Sequence, residues 1–240
     1  LLDMSPLRIK IGASLNNEEG RSYIHSYSLV NSDNNPRWIE KSISGYANAT
    51  YSISDNSYFK AGLSYFKFTD EFGDNTYFNN LDFENLNSYG EIGLDSYNAM
   101  QGQNPTSISQ VAQYSDFGTT YNDYSYNETS YFGTKLDYLN QFGNHELRAG
   151  MEYRKNEIKY YRLAQPMEVT FKYWQALQDS SLNSSSEDWV FQTYHDAYAE
   201  NMGFSVDGND TGNRYQEPGE PIVLGLYFQD KWELDDLVIN

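Results

Sequence analysis

Pro221–Asn240 reads PIVLGLYFQDKWELDDLVIN. Ile222, Leu224, Leu226 and Phe228 alternate with Val223, Gly225, Tyr227 and Gln229. A repeat of two belongs to a strand whose two faces meet different surroundings. Pro221 can open such a strand but cannot sit inside its ladder. Asp235-Asp236 breaks the run, and Leu237-Val238-Ile239 begins another apolar segment. The stretch therefore predicts a long strand, a very tight turn and the start of a further strand, as in a domain that is itself a part of something larger.

The same pattern recurs upstream. Leu7, Ile9, Ile11, Ala13 and Leu15 share one face, opposite Arg8, Lys10, Gly12 and Ser14. Ile43, Gly45, Ala47, Ala49, Tyr51 and Ile53 form the next such face. Phe59, Ala61, Leu63 and Tyr65 follow; then Phe132, Thr134, Leu136 and Tyr138; then Leu147, Ala149, Met151 and Tyr153. Between them lie polar, Gly/Asn-rich stretches that read as loops: Asn16–Lys41, Thr69–Glu128 and a segment from about Arg162 to Glu220. The connections run long, short, long, short, long, short. Transmembrane barrels keep this parity, with small turns at one rim and large loops at the other. A soluble sandwich has no reason to keep it.

Three of these runs also carry a family resemblance. Gly225–Asn240 (GLYFQDKWELDDLVIN), Ser57–Lys67 (SYFKAGLSYFK) and His145–Arg154 (HELRAGMEYR) resemble barrel strands of TonB-dependent outer-membrane receptors of Bacteroidetes-like bacteria. Neither the family's plug domain nor its TonB box is visible among these residues. The expected fold is all-β: residues 1–240 as a partial antiparallel transmembrane β-barrel, about six to seven strands of a barrel of about 22, with long extracellular loops. The resemblance implies a receptor in the bacterial outer membrane that captures a ligand outside the cell and imports it, with TonB acting through the plug. Its partners would be outer-membrane lipid, its own plug and an extracellular ligand such as a siderophore, vitamin, glycan or peptide. Two alternatives have the same strand pattern or composition: a passive channel or adhesin barrel, and a secreted carbohydrate-binding β-protein.

Composition agrees with polar loops on aromatic strands. The chain has 23 tyrosines, 13 phenylalanines and no cysteine, yet its mean hydropathy is −0.74. A barrel hides its membrane signal because only alternate residues face lipid. A net charge of −18 argues against a nucleic-acid partner, which requires a cationic surface. Aromatic residues cluster near predicted strand ends (Tyr58, Phe59, Tyr65, Phe66, Tyr131, Phe132, Tyr138, Phe142 and Trp232 among them), as interfacial girdles would. Asp230 alone falls on the apolar phase of its strand.

Signs of chemistry are few. His25, His145 and His195 are isolated, and no nucleophile elbow or phosphate loop occurs. An enzyme is not expected. In the loop Val206–Glu220, Asn209, Thr211, Asn213, Tyr215, Glu217 and Glu220 match positions 1, 3, 5, 7, 9 and 12 of a calcium loop, with Tyr215 offering only its carbonyl. Asn replaces the leading Asp there, and Arg214 stands where Gly normally turns the chain; Asp207 could supply the missing charge. This makes residues 207–220 a candidate calcium loop, with a solvated turn as the alternative. Met167, Phe171, Trp174 and Leu177, and then Val190, Tyr194, Ala197 and Tyr198, recur at helical spacing. They predict two short amphipathic helices folded over the barrel mouth. The tyrosines between Tyr114 and Tyr131 either stack on a ligand ring or prolong two strands.

Overall fold

The computed structural model describes residues 2–76, 113–115, 119–179, 181–209, 216–234 and 237–239. They form one antiparallel sheet. Its strands are β1 (Leu2–Met4), β2 (Leu7–Arg21), β3 (Pro36–Ser54), β4 (Ser57–Asp74), β5 (Tyr124–Phe142), β6 (His145–Leu163), β7 (Ala199–Met202), β8 (Ile222–Leu234) and β9 (Leu237–Ile239). The order is β1-β2-β3-β4-β5-β6-β8-β9, with β7 paired to the far end of β6. Apart from the short β7, each strand lies beside its neighbour in sequence, as in an up-and-down meander. The sheet is open: β1 and β9 are not paired to each other, so the described residues do not close a barrel.

Short connections lie at one end of the sheet and long ones at the other. Asp55-Asn56 joins β3 to β4, and Gly143-Asn144 joins β5 to β6. Gly143 has φ +55°, the left-handed conformation that a two-residue hairpin asks of glycine or asparagine. The alternation of connections expected from sequence is the alternation observed.

The strands are longer than the apolar periodicity indicated. β2 continues through Asn16–Arg21 and β3 already begins at Pro36, within the stretch that reads as a loop. β4 runs on to Asp74, and β5 starts at Tyr124. In these distal parts aromatic residues such as Trp38, Phe72 and Tyr124 are scattered among polar ones on both faces, so no clean period-two signal exists. The ladder itself satisfies the backbone there. A 19-residue strand such as β5 extends about 60 Å, against the roughly 9–11 residues that cross a bilayer.

Loop ends are tied down by buried polar contacts. Asp74, 5 % exposed, accepts from Asn34 Nδ2 at 3.1 Å, from the Thr76 amide at 2.8 Å and from the Tyr121 amide at 2.8 Å. One carboxylate thereby joins the β2–β3 loop to both flanks of the β4–β5 loop. Tyr27 Oη donates to the Thr120 carbonyl at 2.9 Å beside it.

Three cross-strand pairs place an aromatic ring over a glycine. Gly12 faces Tyr46, Gly20 faces Trp38 and Gly150 faces Tyr227. A Cβ at Gly12 or at Gly20 would come within 2.5 Å of the partner ring, and one at Gly150 would collide with Tyr227. The rings shield backbone that glycine leaves bare and fix the register locally. Tyr227 Oη also donates to Asp137 Oδ1 at 2.6 Å, two strands away. Gly150→Val should displace the Tyr227 ring, break that bond and lower unfolding stability by about 1–3 kcal/mol. Urea unfolding in detergent micelles measures this, and an unchanged midpoint would contradict the packing described.

Candidate functional site

The apolar positions of every long strand fall in register on one face. Tyr51 faces Phe59, Phe59 faces Tyr138, Tyr138 faces Ala149 and Ala149 faces Phe228. The adjacent row runs Ile9, Ala49, Ala61, Leu136, Met151 and Leu226; the next runs Ile11, Ala47, Leu63, Thr134, Tyr153 and Leu224. The row of Ala13, Gly45, Tyr65 and Phe132 follows. Polar residues between them, such as Lys10, Asn48, Lys60, Lys135 and Glu152, take the other face.

Among the described residues nothing covers this apolar face. Leu15, Leu226 and Phe228 are 78 %, 74 % and 72 % exposed. At about 4.8 Å between strands and 3.3 Å per residue the patch projects to roughly 600 Å², at the upper limit of the largest patches on ordinary soluble monomers. Aromatic rings border it along two rows: Tyr51, Phe59, Tyr138 and Phe228 toward the short turns, and Tyr65 with Phe132 toward the long loops. Six residues separate Phe59 from Tyr65 in β4, about 20 Å along the strand. Aliphatic and small residues fill the space between. The sequence pooled rings from both faces: Tyr58, Phe66 and Tyr131 belong to the polar face, where Phe66 stacks on Tyr131 at 5.6 Å. Tyr161 is buried elsewhere.

Asp230 lies on the apolar face, as its phase predicts, and has a partner. His145 Nδ1 contacts Asp230 Oδ2 at 3.0 Å, and the imidazole stacks between Phe142 and Trp232 at 5.5 and 5.4 Å. The carboxylate thus sits at the short-turn rim with a hydrogen-bonded ring beside it. On the polar face, ion pairs run along single strands: Arg148 with Glu146, Lys135 with Asp137, and Lys231 with Glu233. Residues two apart on one strand share a face and need no register to meet.

Above the apolar rows the same face turns ionic. Lys67 pairs with Glu128 at 2.8 Å, Lys159 contacts Glu157 at 3.2 Å and Glu128 at 3.7 Å, and Lys155 reaches Glu220 at 3.0 Å. Beyond this belt sits a small closed core. It holds Tyr161, Leu163, Val169, Tyr194, Ala197 and Phe204, with Tyr124, Tyr126, Tyr173 and Val190 packed against it. Two helices build it, α1 (Pro166–Gln178) and α2 (Glu187–Asp196). Pro166 opens α1, and the Ser186 hydroxyl caps α2 by accepting from the Trp189 amide. Lys172 Nζ ties α1 to Asp196 Oδ2 at 2.6 Å.

Both helices were anticipated, but the buried stripe of α1 is not the expected one. Met167, Val169 and Ala176 are buried, whereas Leu177 is exposed and Phe171 stacks on Trp174. Val169 joins Tyr161 and Leu163 of β6 in one buried cluster with Tyr173 packed against it, an arrangement that periodicity alone does not reveal. Tyr198 is likewise exposed, at φ +57°. The cap packs on the face that continues the apolar rows. Tyr124–Tyr131 prolongs β5, so those tyrosines extend a strand. Tyr114 and Tyr23 flank His25 at the long-loop end, with ring centroids 5.4 and 6.3 Å from it.

Of the six candidate calcium ligands, Thr211, Asn213 and Tyr215 lie outside the described residues. Asn209 donates its side-chain amide to Asp207 Oδ2 at 2.8 Å, and its amide and carbonyl bond Ser205. Glu220 is held by Lys155. Glu217 stands at the exposed edge of the loop. Among the described residues no group of three or more His, Asp or Glu gathers where a metal could sit, and no helix is long and apolar enough to cross a membrane. No family model, curated protein or solved structure matches the chain.

The loop and cap tyrosines give a pH prediction. Burial, and next the nearby Asp74, raises Tyr27 to about 12. Burial, and next Asp207, raises Tyr173 to about 12. The neutral phenol is therefore favoured in the fold. The stability it contributes is complete below the ordinary tyrosine pKa near 10 and is lost as pH rises through about 12. Asp196 is held low by hydrogen bonds from Lys172 and then Gln192, so its contribution disappears only below the usual carboxylate range. Near-UV circular dichroism should accordingly show the cap intact across neutral pH and loosening between about pH 10 and 12. Tyr173→Phe should move that alkaline loss upward.

Proposed function

We propose that this chain is part of the wall of an outer-membrane β-barrel. The exposed apolar face, continuous in register across β2, β3, β4, β5, β6 and β8, carries this reading. Water would meet that face at a cost of about 25 cal/mol per Å², whereas lipid tails would not. The polar face supplies the wet interior. Alternating turn lengths, the two aromatic rows and the ionic belt above them support the same assignment, because each recurs in barrels that cross a bilayer. Strands that span lipid need closed edges, so further strands complete the wall.

The finer reading is a TonB-dependent receptor, supported by the resemblance of Ser57–Lys67, His145–Arg154 and Gly225–Asn240 to strands of that family. In it the barrel houses a plug, the long distal strands and the helical cap present a capture surface outside the cell, and energy delivered through TonB moves the plug. No covalent chemistry is assigned to this part of the protein.

Substitution at the centre of the apolar face tests the barrel reading. Leu226→Arg should cost about 2–4 kcal/mol of folding free energy in liposomes. Gln229→Arg, on the polar face of the same strand, should stay within about 0.5 kcal/mol. Equal effects, or recovery of the protein as a soluble species after membrane fractionation without detergent, would overturn it. Bilayer recordings address the receptor reading: a plugged barrel conducts little, and a large steady conductance would favour an open channel.

A further inference from the structure

The upper border of the apolar face contains a groove of about 530 Å³ at the junction of β2, β3 and β4. Its floor and walls include Leu15, Asn17, Lys41, Ile43, Lys67 and Thr69. The ladder fixes this arrangement: Leu15 faces Ile43, Ile43 faces Lys67, Asn17 faces Lys41 and Lys41 faces Thr69. Lys41 and Lys67 are diagonal neighbours, about 7–8 Å apart at Cβ, so both ammonium groups can converge on one anion. Lys67 shares its charge with Glu128 at 2.8 Å, whereas Lys41 is exposed and makes no ion pair among the described residues. Two further carboxylates on this face have hydrogen-bonding partners, Glu19 with Arg37 at 2.8 Å and Glu71 with Tyr124 Oη at 2.7 Å, and Glu71 also feels the charge of Lys41.

Below the lysines the face is furrowed. Ala13, Gly45, Ala47, Ala49 and Ala61 are small, and a Cβ at Gly45 would meet nothing nearer than 3.9 Å. Leu15 and Ile11 rise on one side of this furrow, and Leu63 and Tyr65 on the other. A cationic, hydroxyl- and amide-bearing head thus opens onto a narrow apolar trough that runs along the strands. That combination matches an amphiphile with an anionic head and a hydrocarbon tail.

We propose that this groove binds a phosphate-bearing lipid of the surrounding leaflet, with the phosphate on Lys41 and Lys67 and an acyl chain along Gly45 and Ala47. The inference rests on the reading that the apolar face meets a bilayer. Charge complementarity supports it: in a chain of net charge −18, Lys41 and Lys67 lie on adjacent strands at the long-loop border of the apolar face, where a lipid head would lie. Asn17 and Thr69 add hydrogen-bonding groups that a phosphate can use.

The test is native mass spectrometry of the protein released from nanodiscs that contain phosphatidylcholine doped with phosphatidylglycerol. Wild type should retain phosphatidylglycerol in preference to phosphatidylcholine. Lys41→Gln, which removes the charge and keeps a polar, flexible side chain, should reduce that preference about fivefold, and Lys41→Gln/Lys67→Gln by up to about thirtyfold. Lys60→Gln/Lys135→Gln, on the opposite face, should leave it unchanged. Millimolar inorganic phosphate should not displace the lipid, since the trough contributes to binding. Equal retention by wild type and the Lys41 variants in correctly inserted protein would overturn the lipid site and leave the barrel reading intact. Failure of the wild type to enter nanodiscs at all would overturn both.

Discussion

Register governs this molecule. In a sheet whose side chains alternate, a slip of one residue between any two strands would exchange the apolar and polar sets of everything beyond it. From β2 to β8 no such slip occurs along the apolar rows, and the irregularity between Ser52 and Ser54 lies beside the turn, below them. Aromatic rings over Gly12, Gly20 and Gly150 act as local pins, since each fits only one facing residue. The tight turns at Asp55-Asn56 and Gly143-Asn144 set the count from which each hairpin starts.

Two energetic regimes follow along the strand axis. Near the short turns no described element covers the sheet, which is a single layer there, and its apolar side chains remain exposed. Its stability as an isolated layer in water would come almost wholly from the ladder and cross-strand pairs. Farther along, beyond Lys67, Glu128 and Lys159, the same face carries a true core built by α1, α2 and β7 against β5 and β6. Apolar burial stabilises that part in the ordinary way. The ionic belt divides the two, and its lysines and glutamates are the side chains that tolerate both a hydrated and an apolar neighbour because their stems are hydrocarbon.

The distal half also shows how polar sequence can be well ordered. Asp74 gathers donors from loops far apart in the chain, and Tyr27 closes over it. A buried carboxylate is costly unless its hydrogen bonds are complete; here side-chain and backbone amides supply them. The result is a set of long connections that begin and end on a fixed frame.

Much of this was determined by sequence alone. Alternation at Leu7–Leu15, Ile43–Ile53, Phe59–Tyr65, Phe132–Tyr138, Leu147–Tyr153 and Ile222–Phe228 settled which residues share a face, because the backbone pleat imposes that locally. The parity of turns followed from the same segments. Tertiary structure decided what local pattern cannot encode. It extended strands through Asn16–Arg21 and Pro36–Ser42, where polar residues break the alternation and pairing defines the strand. It assigned Asp230 to His145, rotated the buried side of α1 toward Tyr161 and Leu163, and brought Lys41 beside Lys67 above the small residues of β3. Each of those depends on a neighbour distant in the chain, and only the folded ladder fixes which neighbour that is.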